Sequence, residues 1–291
     1  MSSNRDIKVL LFGLSTVEAI PLYHAYPGGV ALRILVKPTK SIECLEDFSF
    51  EICEWIKGPQ LFPDISIPSS ILVRLTTAWK PSMIMIDGLE PLESLDLSII
   101  RSTIKDKFIA TRAHGYTDIP VGIDYVLVED ISRLVGLDYI RRNIIKLAEK
   151  LLERRVGFEI QVYAINPYLE ELGELIEVAE IREIPIHIQV ENPRGGGPVI
   201  RLYEELSKKL KYVYIHTRIY DALDTQCPNC KTILLYRSEG ILRGINISNS
   251  KCPKCGYTIR LEGSAKPKTK PTIVRLTRGR TVWYNPLMYV K

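Results

Sequence analysis

Four of the six cysteines in this 291-residue chain form two C-x-x-C pairs, Cys227-Pro228-Asn229-Cys230 and Cys252-Pro253-Lys254-Cys255, separated by 21 residues. Each pair places two thiols on one tight turn, and two facing turns complete a tetrahedral set of four sulfurs that suits Zn²⁺. With four protein ligands no coordination position stays open, so the spacing predicts a structural zinc ribbon held by Cys227, Cys230, Cys252 and Cys255. Gly256 follows the second pair, where a turn favours a residue tolerant of positive φ. Two disulfides, a four-cysteine iron site or an iron–sulfur cluster are the alternatives for the same ligands.

The other residues able to do chemistry are less clearly patterned. The four histidines, His24, His114, His187 and His216, include no pair at metal-ligand spacing. His114, His187 and His216 sit at or near strand ends. The carboxylates Asp87, Glu90, Glu129, Asp130 and Glu191 could converge at one end of a sheet as acid and base. Lys40 near Cys44 could activate a thiol nucleophile, but a lone cysteine is more often a small buried hydrophobe, and Cys44 and Cys53 could instead pair. The segment Asn192-Pro193-Arg194-Gly195-Gly196-Gly197-Pro198 precedes a helix, and its free N–H groups could hold a phosphate or carboxylate. It lacks the spacing of a P-loop or dinucleotide fingerprint, and a connector is the plainer reading.

Short β-rich apolar runs at 8–12, 31–36, 83–86, 108–111, 125–128, 158–164, 186–190 and 212–216 alternate with helical patterns such as 137–153 and 199–210. This alternation predicts α/β architecture with a parallel sheet of barrel type, whose ligand sites would lie at the carboxyl ends of the strands. The organisation reads as a barrel over 1–221, a ribbon over 222–263 with strands at 232–236 and 243–247, and a tail over 264–291 in which 281–290 could dock as a strand. That tail holds seven basic residues and no acidic one against a whole-chain charge of +5, so the basic character belongs to the tail. No apolar run approaches the ~18–20 residues of a membrane span, which predicts a cytoplasmic protein without a membrane partner. Abundant Ile, Lys, Arg and Glu is a thermophile-like composition.

Pro21-Leu22-Tyr23-His24-Ala25-Tyr26-Pro27-Gly28 resembles the PLYHxYPG element of radical SAM enzymes related to pyruvate formate-lyase activating enzyme, the AmmeMemoRadiSam-system type. Other parts resemble that family in the same order. Segment 87–91 keeps Glu90-Pro91 of a YNEP loop, 108–116 keeps Gly115-Tyr116 of a TNGY strand end, and 212–230 is similar to the closing passage with its first cysteine knuckle. The resemblance implies a TIM-barrel-like, partial-barrel radical SAM fold with a C-terminal zinc ribbon. It also implies a [4Fe–4S] cluster on C-x-x-x-C-x-x-C, whose fourth iron would bind S-adenosylmethionine. Here that loop keeps only Cys44, with Lys40 and Asp47 at the spacing of the lost cysteines and Cys53 nine residues beyond. Carboxylate and amine are poor ligands for such a cluster, so its absence is expected.

The resulting expectation is a pseudoenzyme, a radical SAM-like scaffold that retains zinc. Its nucleic-acid or protein partner would be reached through Lys251, Lys254, Arg260 and the tail, with Trp283 and Tyr284 available for stacking. The rival expectation is an enzyme that binds S-adenosylmethionine or another anionic small molecule near Glu90, Gly115, Asn192, Gly195, Gly196 and Gly197, including a radical enzyme with atypical cluster ligands.

Overall fold

The computed structural model describes residues 5–39, 42–44, 63–164, 172–190, 195–217, 220–265 and 280–289. The runs rich in β-branched residues become strands β1 (Asp6–Val9), β2 (Leu11–Thr16), β3 (Val30–Leu35), β4 (Ile65–Pro68), β5 (Met83–Asp87), β6 (Phe108–Ala113) and β7 (Tyr125–Asp130). They continue with β8 (Gly157–Ala164), β9 (Ile186–Val190), β10 (Val213–His216), β11 (Thr225–Gln226), β12 (Ile233–Ser238), β13 (Ile241–Ile245) and β14 (Val282–Tyr284). The helices are α1 (Ser70–Trp79), α2 (Leu97–Thr103), α3 (Ser132–Val135), α4 (Tyr139–Glu153), α5 (Glu174–Arg182) and α6 (Gly196–Lys209). In α4 the residues expected at helical spacing, Ile140, Ile144, Leu147 and Leu151, are all buried.

Among the described residues nine strands form the main sheet, in the order β10-β9-β8-β7-β6-β5-β3-β2-β14. From β3 to β10 neighbours run parallel, each new strand laid beside the last, while β2 and β14 are antiparallel. Right-handed crossovers repeated in one direction carry every helix to the same face. That face holds the large apolar core: Leu32, Ile34, Ile84, Ile86, Val126, Val128, Ile160 and Ile188 pack with the buried sides of the helices.

The barrel expectation is met only as an α/β sheet wound in one direction. Closure needs the first and last parallel strands to pair, but β3 is paired on its free side by β2, and β2 by β14, so among the described residues β10 and β14 end an open order. The expected strand at 8–12 is also two strands. Asp6–Val9 pairs with Ile65–Pro68 in a separate two-stranded sheet, and the chain then turns into β2 at Leu10. The tail strand does dock, with Trp283 opposite Gly13. The ribbon is a three-stranded antiparallel sheet, β11-β12-β13. Its hairpin turns at Glu239 and Gly240, both at positive φ as a two-residue turn with the twist of the strands requires.

Candidate metal centre and the polar face of the sheet

The two knuckles are built alike. In the first, the Lys231 N–H donates to the Cys227 carbonyl and the Cys227 N–H to the Thr232 carbonyl; in the second, Gly256 donates to Cys252 and Cys252 to Tyr257. The residue after each pair takes the left-handed conformation, Gly256 at φ +74° and Lys231 at φ +58°. The four sulfurs lie within 4.8 Å of one another, with Cys227–Cys255 at 3.5 Å and Cys230–Cys252 at 3.6 Å. A tetrahedral ion with bonds of about 2.3 Å needs sulfurs about 3.8 Å apart, so small outward shifts would admit it. Cys227 and Cys252 are buried with Leu234, Ile259, Tyr212 and Tyr214, so the centre also fixes the ribbon against β10. The group can hold a metal ion such as zinc, and its four thiols fill every tetrahedral position.

The face of the sheet opposite the helices is apolar at the starts of the strands, where Ala31, Met83, Met85, Ala110 and Leu127 pack, and polar toward their ends, although a sheet covered on both sides usually carries apolar residues on both faces. Register puts Arg33, Asp87, Arg112, Glu129, Gln161 and His187 in the same alternating set. Arg33 donates to both oxygens of Asp87 at 2.6 and 2.9 Å, Arg112 donates from Nε to Asp87 at 2.6 Å, and its Nη1 reaches Glu129. Glu129 also accepts from the Tyr163 hydroxyl at 2.9 Å and contacts His114 Nε2 at 3.0 Å. Burial opposes the charge on Arg112, but Glu129 and Asp87 beside it raise its pKa. Burial would likewise raise the Glu129 carboxyl, yet Arg112 and His114 hold it at about 2. The ladder is therefore charged and internally paired. At its far end Gly13 has no side chain, so the Trp283 ring lies across it and covers the Arg33 guanidinium at 4.9 Å, while Thr281 Oγ1 accepts from Arg33.

A second buried cluster ties the ribbon to the sheet. Glu159 accepts from the N–H groups of Tyr23 and His24 at 3.0 and 2.9 Å, from the Tyr125 hydroxyl at 3.2 Å, and contacts His187 Nε2 at 2.8 Å. Arg237 of β12 inserts its guanidinium over the Tyr23 ring at 4.1 Å and donates to the Tyr23 carbonyl and to Thr225 Oγ1. Its charge faces buried Glu18 at 3.7 Å, and Glu18 also accepts from the Gly28 N–H. Residues 21–28 thus act as a buried strap between sheet and ribbon.

The residues expected at the site are distributed as follows. Glu90 and Gly115 do come together: the Glu90 carboxylate accepts from the N–H groups of His114 and Tyr116 and from the Thr117 hydroxyl, closing the loop around Gly115. Gly115 itself packs on α4, where a Cβ would meet Asn143 and Ile144 at 3.1 to 3.2 Å. Gly195, Gly196 and Gly197 open α6 after β9, three strands away in the order from β6; Asn192 lies outside the described residues, as do Glu191, Lys40, Asp47 and Cys53. Among the described residues the expected carboxylates do not meet as an acid–base pair. Asp87 and Glu129 are bridged by Arg112, and Asp130 points to the helix side, where it accepts from Ser132 N–H and Arg141. Cys44 is buried and disulfide-bonded, so it is no free nucleophile. Trp283 and Tyr284 are not presented for stacking, because Trp283 covers Arg33 and Tyr284 leans on Trp79 at 5.4 Å between centroids.

Sequence reasoning passed over Arg33, Arg112, Glu159, Gln161 and Arg237. The signal was present as charged or amide residues at alternate positions of otherwise apolar strands, in VALRIL, FIATRA and GFEIQVYA. Among the described residues no helix is long and apolar enough to cross a membrane. Neither the known family profiles nor the curated proteins include a match to this chain.

Proposed function

We propose that this chain is a radical SAM-like α/β protein without the iron–sulfur cluster, in which zinc holds the ribbon and the whole serves as a binding or scaffold protein. The observation that carries the reading is the fate of Cys44, the one thiol kept in the cluster-type loop. It is buried in the apolar core and disulfide-bonded, whereas a cluster requires three free thiolates facing one site. The paired charges of the polar face support the same reading: Arg33, Asp87, Arg112 and Glu129 satisfy one another rather than a cofactor.

The partner we infer is nucleic acid. On the ribbon, Lys231, Lys251, Lys254 and Arg260 are exposed, and Tyr236 is half exposed. Such a surface meets phosphates through charge and a base through the ring. Titration of labelled single-stranded RNA and DNA with the full chain at rising salt tests this. Binding that weakens steeply with salt, and weakens further in Lys251→Glu/Lys254→Glu, supports it; absence of binding at low salt ends the nucleic-acid reading and leaves a protein partner.

A further inference from the structure

Three of the four histidines use both ring nitrogens. His24 contacts the Arg260 carbonyl and the Tyr214 hydroxyl; His114 contacts Glu129 and the Glu90 N–H; His187 contacts Glu159 through Nε2 and His216 through Nδ1. His216 is different. Its Nε2 meets His187 Nδ1 at 3.0 Å, and its Nδ1 has no partner among the described residues.

The proton positions follow from Glu159. A carboxylate offers about four lone-pair sites, and here each oxygen receives two donor groups: Oε1 from His24 N and Tyr125, Oε2 from Tyr23 N and His187. Burial pushes the Glu159 carboxyl up, but a proton would displace one of these donors. Glu159 is therefore the acceptor, and His187 carries its proton on Nε2. Burial, reinforced by Arg237, keeps His187 neutral, and burial, His187 and Arg237 do the same for His216. A neutral His187 protonated on Nε2 has a lone pair on Nδ1. That lone pair must receive a proton from His216 Nε2, which leaves His216 Nδ1 as an unprotonated acceptor.

That nitrogen is not isolated. His216 ends β10, half-buried, directly beside Gln189 of β9, which in turn pairs in register with Tyr163 of β8. Gln189 makes no side-chain hydrogen bond among the described residues. One step back on β8, Gln161 is only 6% exposed and its Oε1 has no partner among the described residues. Buried carboxamides are rarely left unpaired, because an orphan polar atom loses its hydration without a replacement.

We propose that His216 Nδ1, with Gln189 and the Gln161 carbonyl, forms a binding site for an uncharged polar small molecule that offers O–H or N–H donors. The Glu159–His187 pair fixes the tautomer of His216 and so positions the acceptor. The site goes beyond the scaffold reading and does not depend on nucleic-acid binding or on the cluster.

Nitrogen-15 histidine spectra of the full chain at neutral pH test the tautomer, and His216→Gln assigns the resonance. His216 is expected as the Nε2–H tautomer, and finding its proton on Nδ1 would overturn the proposal. Ethylene glycol and acetamide then serve as O–H and N–H probes, with tetramethylurea, which has no donor, as the control. The expected result is a saturable shift of the His216 Nδ1 resonance with one or both donor probes and none with tetramethylurea. Equal shifts with all three, or no shift with any, would refute the site. Diethyl pyrocarbonate, which acylates unprotonated ring nitrogens, should label His216 ahead of the other three histidines, and an even distribution of label would contradict the uncommitted nitrogen.

Discussion

The ribbon and the polar face of the sheet both concentrate ligating side chains, yet they treat them in opposite ways. At the ribbon, Cys227, Cys230, Cys252 and Cys255 gather on two matching turns with only weak sulfur contacts between them, so their bonding capacity is directed at something the chain does not itself supply. On the sheet, Arg33, Asp87, Arg112 and Glu129 exhaust one another. A cluster of reactive residue types marks a binding site only where its valences are left over, and by that measure the ladder is core.

The largest expected difference comes from removing a metal ligand. Structural zinc binding contributes on the order of 10 kcal/mol to the fold it holds. Cys252→Ser should therefore abolish stoichiometric metal and unfold the ribbon, seen as loss of protection of the β12–β13 amides in hydrogen exchange. Retention of full metal would break the comparison from the ribbon side.

For the ladder, Asp87→Ala removes the carboxylate that two buried guanidinium groups share, which should lower stability by about 3–5 kcal/mol in denaturant titration. Replacing all four charges, as in Arg33→Met/Asp87→Leu/Arg112→Met/Glu129→Gln, should recover much of that loss, because a self-paired buried ion set is replaceable by uncharged packed residues. If the quadruple variant is worse than Asp87→Ala alone, the ladder is serving something other than structure.

Acid should act on the two regions in sequence. Burial lowers the His24 pKa to about 4 from 6.5, and His187 and His216 shift the same way, so the folded state binds fewer protons than the unfolded one in this range. The His24 contribution is complete above pH 6.5 and is lost as pH falls toward 4, and His187 and His216 add to the loss in the same direction. Glu129, held at about 2 against an ordinary 4.5, contributes a later loss between pH 4.5 and 2. Glu18 and Glu159, raised by burial, act in the opposite sense and reduce the net effect. Thermal denaturation followed at several pH values should show the first decline near the strap and ribbon.

The smallest effect concerns the unequal knuckles. Lys231 holds the left-handed position that glycine fills in the second knuckle, so Lys231→Gly should stabilise the protein by about 0.5–1 kcal/mol. A destabilisation would mean that the Lys231 side chain matters more than its backbone.

Much of this was legible in the residues, for identifiable reasons. Cysteine spacing specifies a ribbon because four ligands on two turns have few other geometries, and the strands from 83–86 to 212–216 were visible because β-branched runs separated by amphipathic helices leave little choice. The open sheet was not legible, since whether β3 pairs with a last strand or with β2 depends on a long-range competition that local pattern does not record. That Glu90 and Gly115 share one loop cluster is legible in the sequence; that the Glu90 carboxylate closes this loop through the N–H groups of His114 and Tyr116 is not, because backbone donors leave no residue-type signal. Arg237 was hidden because its partners, Tyr23 and Glu18, lie more than two hundred residues earlier.

The most direct test is metal and sulfide analysis of the full chain purified without oxygen. A four-thiolate ribbon beside a sheet without a cluster predicts about one zinc per chain, no iron, no acid-labile sulfide and no broad brown absorbance. Several irons per chain with matching sulfide, and reductive cleavage of added S-adenosylmethionine, would contradict it.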